Sequence, residues 1–209
     1  MNLILLGAPG CGKGTVAGFL SKKFGMLPIS TGDIIRENIR NKTKLGLLSE
    51  KLINDGKLVP DEYVIEFVKN KLNSIGNNQS YILDGFPRTI IQADGLKSFA
   101  KIDKVILIDT DYEVILDRIL SRRICPNCKK VFNTKSYSKD NCDICNESLI
   151  SRSDDNEDIV KKRYNVYLEQ TKPLIEYYSN QNLLYKVNGN LSAEEVFKQI
   201  DNILQNEGL

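Results

Sequence analysis

The sequence predicts an α/β fold in which a five-stranded parallel sheet carries helices on both faces. Five short apolar, β-branched runs alternate with stretches whose apolar residues recur about every 3.6 residues. Such alternation is typical of a parallel sheet that is buried between two layers of helices. A glycine-rich segment directly after the first apolar run is the second observation, because it leads from a strand into an amphipathic helix.

The elements follow one another in a regular order. The predicted strands are 2–6, 27–30, 81–84, 104–109 and 183–187. The predicted helices are 13–24, 31–40, 44–55, 61–74, 90–99, 112–123, 156–180 and 193–205. Segments 30–59 and 122–155 lack a core strand, so we interpret them as insertions on the carboxyl-end rim of the sheet, where ligands of such folds bind. The ranges 1–29, 60–121 and 156–209 would form the core domain.

Composition narrows the class of protein. The 209 residues, 41% of them hydrophobic, allow one sizeable core, and a net charge of +2 lacks the basic excess of nucleic-acid or membrane binders. We therefore expect that the protein binds neither nucleic acid nor a membrane. The N-terminus shows no basic leader and its apolar run is too short for a signal peptide, so we expect a cytoplasmic protein. Histidine is absent, which disfavours mechanisms that need a group titrating near neutral pH.

The strongest motif is Gly7-Ala8-Pro9-Gly10-Cys11-Gly12-Lys13-Gly14-Thr15. Its glycines let backbone amides surround an anion, the following helix start adds partial positive charge, and Lys13 can reach the β and γ phosphates of a nucleotide. A plain glycine turn would leave Lys13 without a role. Gly14 separates the lysine from Thr15, whereas GTPases and motor ATPases place Ser or Thr directly after it.

Arginine is rare enough to be informative. The chain has 29 Lys and Arg together, of which eight are arginines: Arg36, Arg40, Arg88, Arg118, Arg122, Arg123, Arg152 and Arg163. The rigid guanidinium fork suits bidentate contacts to phosphate, although any one arginine could simply pair with a surface acid. The predicted helix 112–123 would place Arg118 and Arg122 on one face. Asp84 ends a predicted strand and Arg88 follows a Gly-Phe-Pro turn, which brings a carboxylate and a guanidinium to the same rim.

Three further motifs follow the phosphate loop: Ser30-Thr31-Gly32-Asp33-Ile34-Ile35-Arg36, Gly56-Lys57-Leu58-Val59-Pro60-Asp61, and Asp84-Gly85-Phe86-Pro87-Arg88-Thr89. With the GxPGxGKGT form of the loop, their order and spacing along the whole chain resemble the adenylate kinases. These belong to the nucleoside monophosphate kinases, which have the P-loop NTPase fold. The resemblance implies reversible phosphoryl transfer from MgATP to AMP, giving two ADP, by a monomeric enzyme.

The resemblance also implies roles for individual residues. It assigns ATP binding to Gly10, Cys11, Gly12, Lys13, Gly14, Thr15, Arg118, Arg122, Asn190 and Leu191, with Arg118 stacking on the donor adenine. It assigns AMP binding to Thr31, Gly32, Arg36, Lys57, Leu58, Val59, Gly85, Arg88, Gln92, Arg152 and Arg163. The implied catalytic set is Lys13, Arg88, Arg122, Arg152, Arg163, Asp84, Asp154 and Asp155, of which Asp84 would position Mg²⁺ through water. The resemblance also makes segment 30–59 the AMP-binding insertion and segment 122–155 the lid, whose closure Asp154 and Asp155 would assist.

Two CxxC pairs, Cys125/Cys128 and Cys142/Cys145, enclose 13 residues within the second insertion. Paired knuckles at this spacing predict tetrahedral zinc, and four thiolates leave no open position, so the metal would be structural. Two disulfides are the alternative, and the absence of a secretory leader disfavours them. Zinc-containing lids occur in a subset of adenylate kinases. The sequence does not tell the role of the fifth cysteine, Cys11.

Two other functions stay open from the sequence. A GTP:AMP phosphotransferase or another nucleoside monophosphate kinase, such as a UMP/CMP kinase, would share these motifs, although Thr31 and the long lid favour AMP as the acceptor. A zinc-ribbon nucleic-acid-binding ATPase is the more distant alternative, because Lys129, Lys130, Phe132, Lys135 and Tyr137 lie in the lid.

Overall fold

The computed structural model describes residues 1–76 and 78–205. In chain order its strands are β1 Asn2–Leu6, β2 Leu27–Ser30, β3 Tyr81–Asp84, β4 Lys104–Asp109, β5 Arg122–Ile124, β6 Val131–Asn133 and β7 Leu184–Asn188. Five of them form a parallel sheet in the order β2-β3-β1-β4-β7. The predicted five-stranded parallel sheet is confirmed.

The helices are α1 Lys13–Phe24, α2 Thr31–Arg40, α3 Lys44–Asn54, α4 Asp61–Ser74, α5 Ile90–Lys97, α6 Tyr112–Leu120, α7 Glu157–Val166, α8 Pro173–Ser179 and α9 Ala193–Gln205. They cover both faces of the sheet. In β1, Leu3 and Leu5 pack with α1 and α9, whereas Ile4 and Leu6 belong to the opposite cluster. The two-residue period of a strand therefore divides the core into two layers. Among the described residues, no helix is both long and apolar enough to cross a bilayer.

Three predicted elements have bounds that are off by one or two residues: α3 and α5 end earlier than predicted, and β7 is shifted by one residue at both ends. The prediction of a helix over 112–123 is wrong in a more important way. α6 ends at Leu120, and the Ser121 carbonyl accepts a hydrogen bond from the Thr134 backbone at 2.9 Å. Arg122 then begins β5, which pairs antiparallel with β6. Arg118 and Arg122 therefore lie on different elements rather than on one helical face.

The predicted helix 156–180 is also interrupted. Between α7 and α8 lies a π-helical turn, Tyr167–Thr171, in which the Lys172 N–H donates to the Tyr167 carbonyl at 2.8 Å. Pro173 has no N–H to donate and starts α8 at a position where proline is tolerated. The wider turn is a common device near functional sites.

Candidate active site

The phosphate loop connects β1 to α1 at the carboxyl end of the sheet. Gly7, Gly10 and Gly12 have φ angles of 145°, 85° and 105°, which only glycine adopts without strain. At Gly10 a Cβ would also lie 2.6 Å from Cγ1 of Ile119, so the loop can approach α6 only with glycine there. Lys13 Nζ donates to the carbonyls of Gly7 and Ala8 at 2.9 Å each, which holds the ammonium over the loop.

A cavity of about 880 Å³ opens beside this loop. Its lining includes Lys13 and six arginines: Arg36, Arg88, Arg118, Arg122, Arg152 and Arg163. Most of the other predicted site residues line it too: Gly10, Cys11, Gly12, Gly14, Thr15, Gly32, Lys57, Leu58, Val59, Asp84, Gly85, Asp154 and Leu191. Thr31, Gln92, Asp155 and Asn190 are not among the lining residues. The first three bond to the lining residues Gly85, Arg88 and Arg122, respectively, whereas Asn190 bonds to Asp111.

Two of the arginines are paired with neighbouring aspartates. Arg163 Nη1 donates to Asp154 Oδ2 at 2.6 Å, and Arg122 Nε donates to Asp155 Oδ2 at 2.9 Å. A second bond joins Arg122 Nη2 to Asp155 Oδ1. The aspartates therefore orient both guanidinium groups at the cavity.

Asp33 lies near arginines from two distant parts of the chain, Arg36 and Arg152. Its Oδ1 accepts a hydrogen bond from Arg36 Nη2 at 2.5 Å and lies 3.9 Å from Arg152 Nη2. Burial raises the pKa of this carboxyl, but the hydrogen bond and charge of Arg36, together with the charge of Arg152 and a hydrogen bond to Ser30, outweigh burial and lower the pKa overall. The three-residue spacing of Asp33 and Arg36 along one helix is the sequence signal for such a pair.

Burial also shifts the pKa values of ionisable side chains at the centre of the site. It raises the pKa of Asp84, although the charges of Lys13 and Arg88 act in the opposite direction. Burial, followed by repulsion from Arg163, lowers the pKa of Arg88 to about 10. Burial and the charge of Arg36 likewise lower the pKa of Arg152 to about 10. With a pKa of about 10, Arg88 and Arg152 stay protonated at neutral pH in a partly desolvated space, where electrostatic interactions are stronger than in water.

The backbone around Arg88 is held from several sides. Arg88 Nε donates to the Gly85 carbonyl at 2.8 Å, and Thr31 Oγ1 donates to the same carbonyl at 2.8 Å. Gln92 Oε1 accepts from the Arg88 N–H at 2.7 Å. From the π-helical turn, Thr171 Oγ1 donates to the Arg88 carbonyl at 2.8 Å. Sequence reasoning missed Thr171, because nothing in the local pattern indicates that turn.

Arg118 connects the phosphate loop to the loop after β7. Its guanidinium donates to the carbonyls of Gly189 and Leu191 at 2.7 Å each, and to that of Cys11 at 3.3 Å. The Asn190 side chain accepts from the Asp111 N–H at 2.9 Å and donates to the Asp111 carboxylate at 2.8 Å. Arg118 is therefore a link between two loops, which is a contact that the sequence did not predict.

The four lid cysteines converge at one point. Their Sγ atoms all lie within 4.8 Å of one another, with Cys125 to Cys145 at 3.2 Å and Cys128 to Cys142 at 3.6 Å. Tetrahedral zinc with Zn–S bonds of about 2.3 Å requires sulfur atoms about 3.8 Å apart. All five cysteines are free thiols, so the disulfide alternative is not what the structure shows. The donor set fits a structural zinc ion.

The lid also contributes to the cavity wall. The cavity that contains the phosphate loop is also lined by the basic and aromatic lid residues on which the nucleic-acid alternative depends: Lys129, Lys130, Phe132, Lys135 and Tyr137. Lys130 additionally bonds both oxygens of Asp143 at 2.7 and 2.8 Å. These side chains face the same space as the arginines.

A parallel sheet, a glycine-rich phosphate loop and an arginine-lined cavity under a cysteine-bearing lid define a P-loop nucleotide kinase. A family model described as adenylate kinase matches residues 5–183. The chain is 45% identical to a curated adenylate kinase from Clostridium kluyveri, and the alignment covers 98% of each chain. It is 48% identical to the adenylate kinase of Caldicellulosiruptor saccharolyticus, over 96% of this chain and 97% of the relative. It is 46% identical to that of Fervidobacterium nodosum, over 98% of this chain and 97% of the relative. The chain belongs to the adenylate kinase family and is a nucleoside monophosphate kinase.

Proposed function

We propose that the protein transfers the terminal phosphoryl group of MgATP to AMP, reversibly, giving two ADP. The observation that carries this proposal is the convergence of Lys13 with Arg36, Arg88, Arg122, Arg152 and Arg163 around one cavity at the phosphate loop. So many fixed cations in one space suit two polyanionic nucleotides placed end to end.

In the proposed reaction, a phosphate oxygen of AMP attacks the γ-phosphorus of ATP while the bond to the β–γ bridging oxygen breaks. The attacking oxygen is already anionic at neutral pH, so no general base is needed, which agrees with the absence of histidine. The main contributions are alignment of the two nucleotides and neutralisation of the charge on the transferred group. Lys13, Arg88, Arg122, Arg152 and Arg163 would supply that neutralisation.

A magnesium ion bound with ATP would screen the β and γ phosphates. Asp84 is the chain's candidate to position it through water, because this carboxylate ends β3 beside the phosphate loop: a Cβ at Gly14 would lie 3.5 Å from its Oδ2. Thr15 lines the same cavity. Zinc would have a structural role at Cys125, Cys128, Cys142 and Cys145, outside the reaction.

We assign the donor side to the phosphate loop, Arg118 and the loop containing Asn190 and Leu191. We assign the acceptor side to Thr31, Gly32, Arg36, Lys57, Leu58, Val59, Gly85 and Gln92. Asp154 and Asp155 would hold Arg163 and Arg122 until phosphates replace them as the lid closes and excludes water. We further propose that the enzyme works as a monomer with ATP, AMP and ADP as ligands, and without a nucleic-acid or membrane partner.

A coupled assay tests the proposal directly. ATP or GTP is offered as the donor, with AMP, UMP, GMP or no acceptor. We expect fast turnover only with ATP and AMP. A preference for GTP would indicate a GTP:AMP phosphotransferase, and a preference for UMP would indicate a UMP/CMP kinase. ATP hydrolysis without AMP that increases with added RNA would instead support the zinc-ribbon ATPase.

A further inference from the structure

We propose that Asp61 is a specificity-determining positioning residue. Its carboxylate fixes the orientation of the Gln92 amide, and that fixed amide selects an acceptor base with the hydrogen-bonding pattern of adenine. The inference rests on the proposed function, in which Gln92 contacts the base of AMP.

Gln92 is 1% exposed and both polar atoms of its amide are engaged. Nε2 donates to Asp61 Oδ1 at 2.7 Å, and Oε1 accepts from the Arg88 backbone N–H at 2.7 Å. A backbone N–H can only donate and a carboxylate can only accept. A 180° rotation of the amide would therefore set donor against donor and acceptor against acceptor, so its orientation is determined by its neighbours.

The two helices that carry this pair pack closely. Gly95 follows Gln92 by three residues on α5, and Ile65 follows Asp61 by four residues on α4, so each pair shares a helix face. A Cβ at Gly95 would lie 2.9 Å from Ile65 Cδ1, so the absence of a side chain at Gly95 lets the Ile65 side chain pack closely against α5. This contact between the helices and the hydrogen bond from Gln92 Nε2 together place the Asp61 carboxylate opposite the Gln92 amide.

The start of α5 fixes the glutamine from the other side. Thr89 caps the helix, and its Oγ1 accepts from the Gln92 backbone N–H at 3.1 Å. Asp61 is the first residue of α4, a position where a negative charge is favoured by the helix dipole. Backbone and side chain of Gln92 are therefore both constrained in a residue that is nearly inaccessible to water.

A primary amide has two N–H groups and an oxygen with two lone pairs. In the described part of the chain, Asp61 and Arg88 use one of each, which leaves one N–H and one lone pair in a fixed arrangement next to Arg88. Adenine offers an acceptor at N1 and a donor at the 6-amino group. Hypoxanthine and guanine offer the reverse, a donor at N1 and an acceptor at O6. If arginines anchor the phosphate of the acceptor nucleotide, the base cannot turn over to compensate, so one amide orientation fits one pattern.

The experiment compares AMP with IMP, whose base has the reversed pattern without an added amino group. We expect Asp61→Ala to reduce the ratio of kcat/KM for AMP to that for IMP by about tenfold or more, because a hydrogen bond to a charged group is lost. The change should appear as a higher KM for AMP with little change in kcat, since Asp61 touches no reacting atom. Asp61→Asn, which keeps an acceptor but also tolerates a rotated amide, should fall between Asp61→Ala and the wild type.

Glu62→Ala is the matched control. Glu62 is exposed in the same first turn of α4 and contributes the same charge to that helix end. A merely structural role of Asp61 would lower the melting temperature and leave the AMP-to-IMP ratio unchanged. The proposal is overturned if neither Asp61 variant changes the ratio, if Glu62→Ala changes it equally, or if Gln92→Ala leaves it intact. A wild-type enzyme that does not use AMP in preference to IMP would instead reject the proposed function itself.

Discussion

Arg122 and Asp155 face each other through two hydrogen bonds, with Nε to Oδ2 at 2.9 Å and a second bond from Nη2 to Oδ1. Their side chains are only 13% and 2% exposed. A pair this well buried is stable only while both charges are present, because a single desolvated charge is costly. A bound polyphosphate would offer Arg122 an alternative partner.

Asp155→Ala should therefore lower the stability of the free enzyme, by about 3–5 kcal/mol, since it leaves Arg122 without its counter-charge. Saturating ATP should raise the melting temperature of Asp155→Ala by more than it raises that of the wild type, because phosphates restore the missing charge. Thermal melts with and without nucleotide measure both effects. Asp158→Ala, an exposed residue in the first turn of α7, is the control and should change little. Equal nucleotide-induced shifts in Asp155→Ala and the wild type would contradict this account.

Arg88→Ala and Lys13→Ala should each lower kcat by about a hundredfold or more while the protein stays folded. Arg88→Lys is the sharper variant, because it keeps the charge and loses the rigid fork that can contact two phosphate oxygens. We expect it to be much slower than the wild type as well. The coupled assay gives kcat and circular dichroism verifies the fold. Near-normal turnover in either alanine variant would be incompatible with the proposed role of these cations.

The buried Asp84 carboxylate should lower the free energy of unfolding of the free enzyme at neutral pH. Its folded pKa lies above the ordinary value of 3.8, chiefly because of burial. Below pH 3.8 both folded and unfolded chains hold the proton and there is no cost. As the pH rises through the folded pKa, the folded state is progressively destabilised relative to the unfolded state.

Asp84→Asn should consequently melt at a higher temperature than the wild type at pH 7, and the difference should shrink as the pH approaches 4. The same substitution should strongly reduce turnover, because the proposed magnesium-positioning carboxylate is gone. Melting curves of the two proteins across this pH range provide the measurement. A wild type that is more stable than Asp84→Asn at pH 7 would show that Lys13 and Arg88 outweigh the desolvation of the carboxylate.

The sheet and the phosphate loop were predictable from the sequence because they are local patterns. The β1 run, the glycines at 7, 10 and 12 and the helix that begins at Lys13 need no information from distant residues. The end of α6 was not predictable from local sequence. The backbone N–H of Thr134, which lies beyond β6, donates a hydrogen bond to the Ser121 carbonyl, and Arg122 then joins a β-hairpin instead of continuing the helix. The contacts of Asp61 and Thr171 could not be predicted for the same reason, since their partners are 31 and 83 residues away.

The cysteine cluster should stabilise the lid through its metal. Cys142→Ser removes one of four ligands, so we expect loss of bound zinc and a lower melting temperature, at about 2–4 °C for each kcal/mol lost. A chelator should have the same effect on the wild type. Cys11→Ser is the control for metal content, because Cys11 lies outside the cluster. Elemental analysis should find one zinc per chain in the wild type and in Cys11→Ser. An unchanged melting temperature after complete metal removal would argue against a structural metal.

The packing of α2 against α3 gives two opposite predictions for neighbouring positions on one face. Ser49 is 0% exposed and its Oγ has no hydrogen-bond partner among the described residues, so Ser49→Ala should raise the free energy of unfolding by about 1 kcal/mol. Gly46 lies three residues earlier, where a Cβ would be 2.1 Å from the Asn38 carbonyl oxygen. Gly46→Ala should force the helices apart and lower stability by about 1–3 kcal/mol.

The two substitutions should also differ in their effect on the acceptor site. α2 carries Arg36, which lines the cavity, so separating α2 from α3 should displace that guanidinium and raise the KM for AMP. Ser49→Ala leaves the backbone in place and should not change the KM. Denaturant titration and steady-state kinetics on both variants test the pair together. If Gly46→Ala kept the wild-type KM while losing stability, the position of Arg36 would not depend on this helix contact, and α2 would be held at the cavity by its other neighbours.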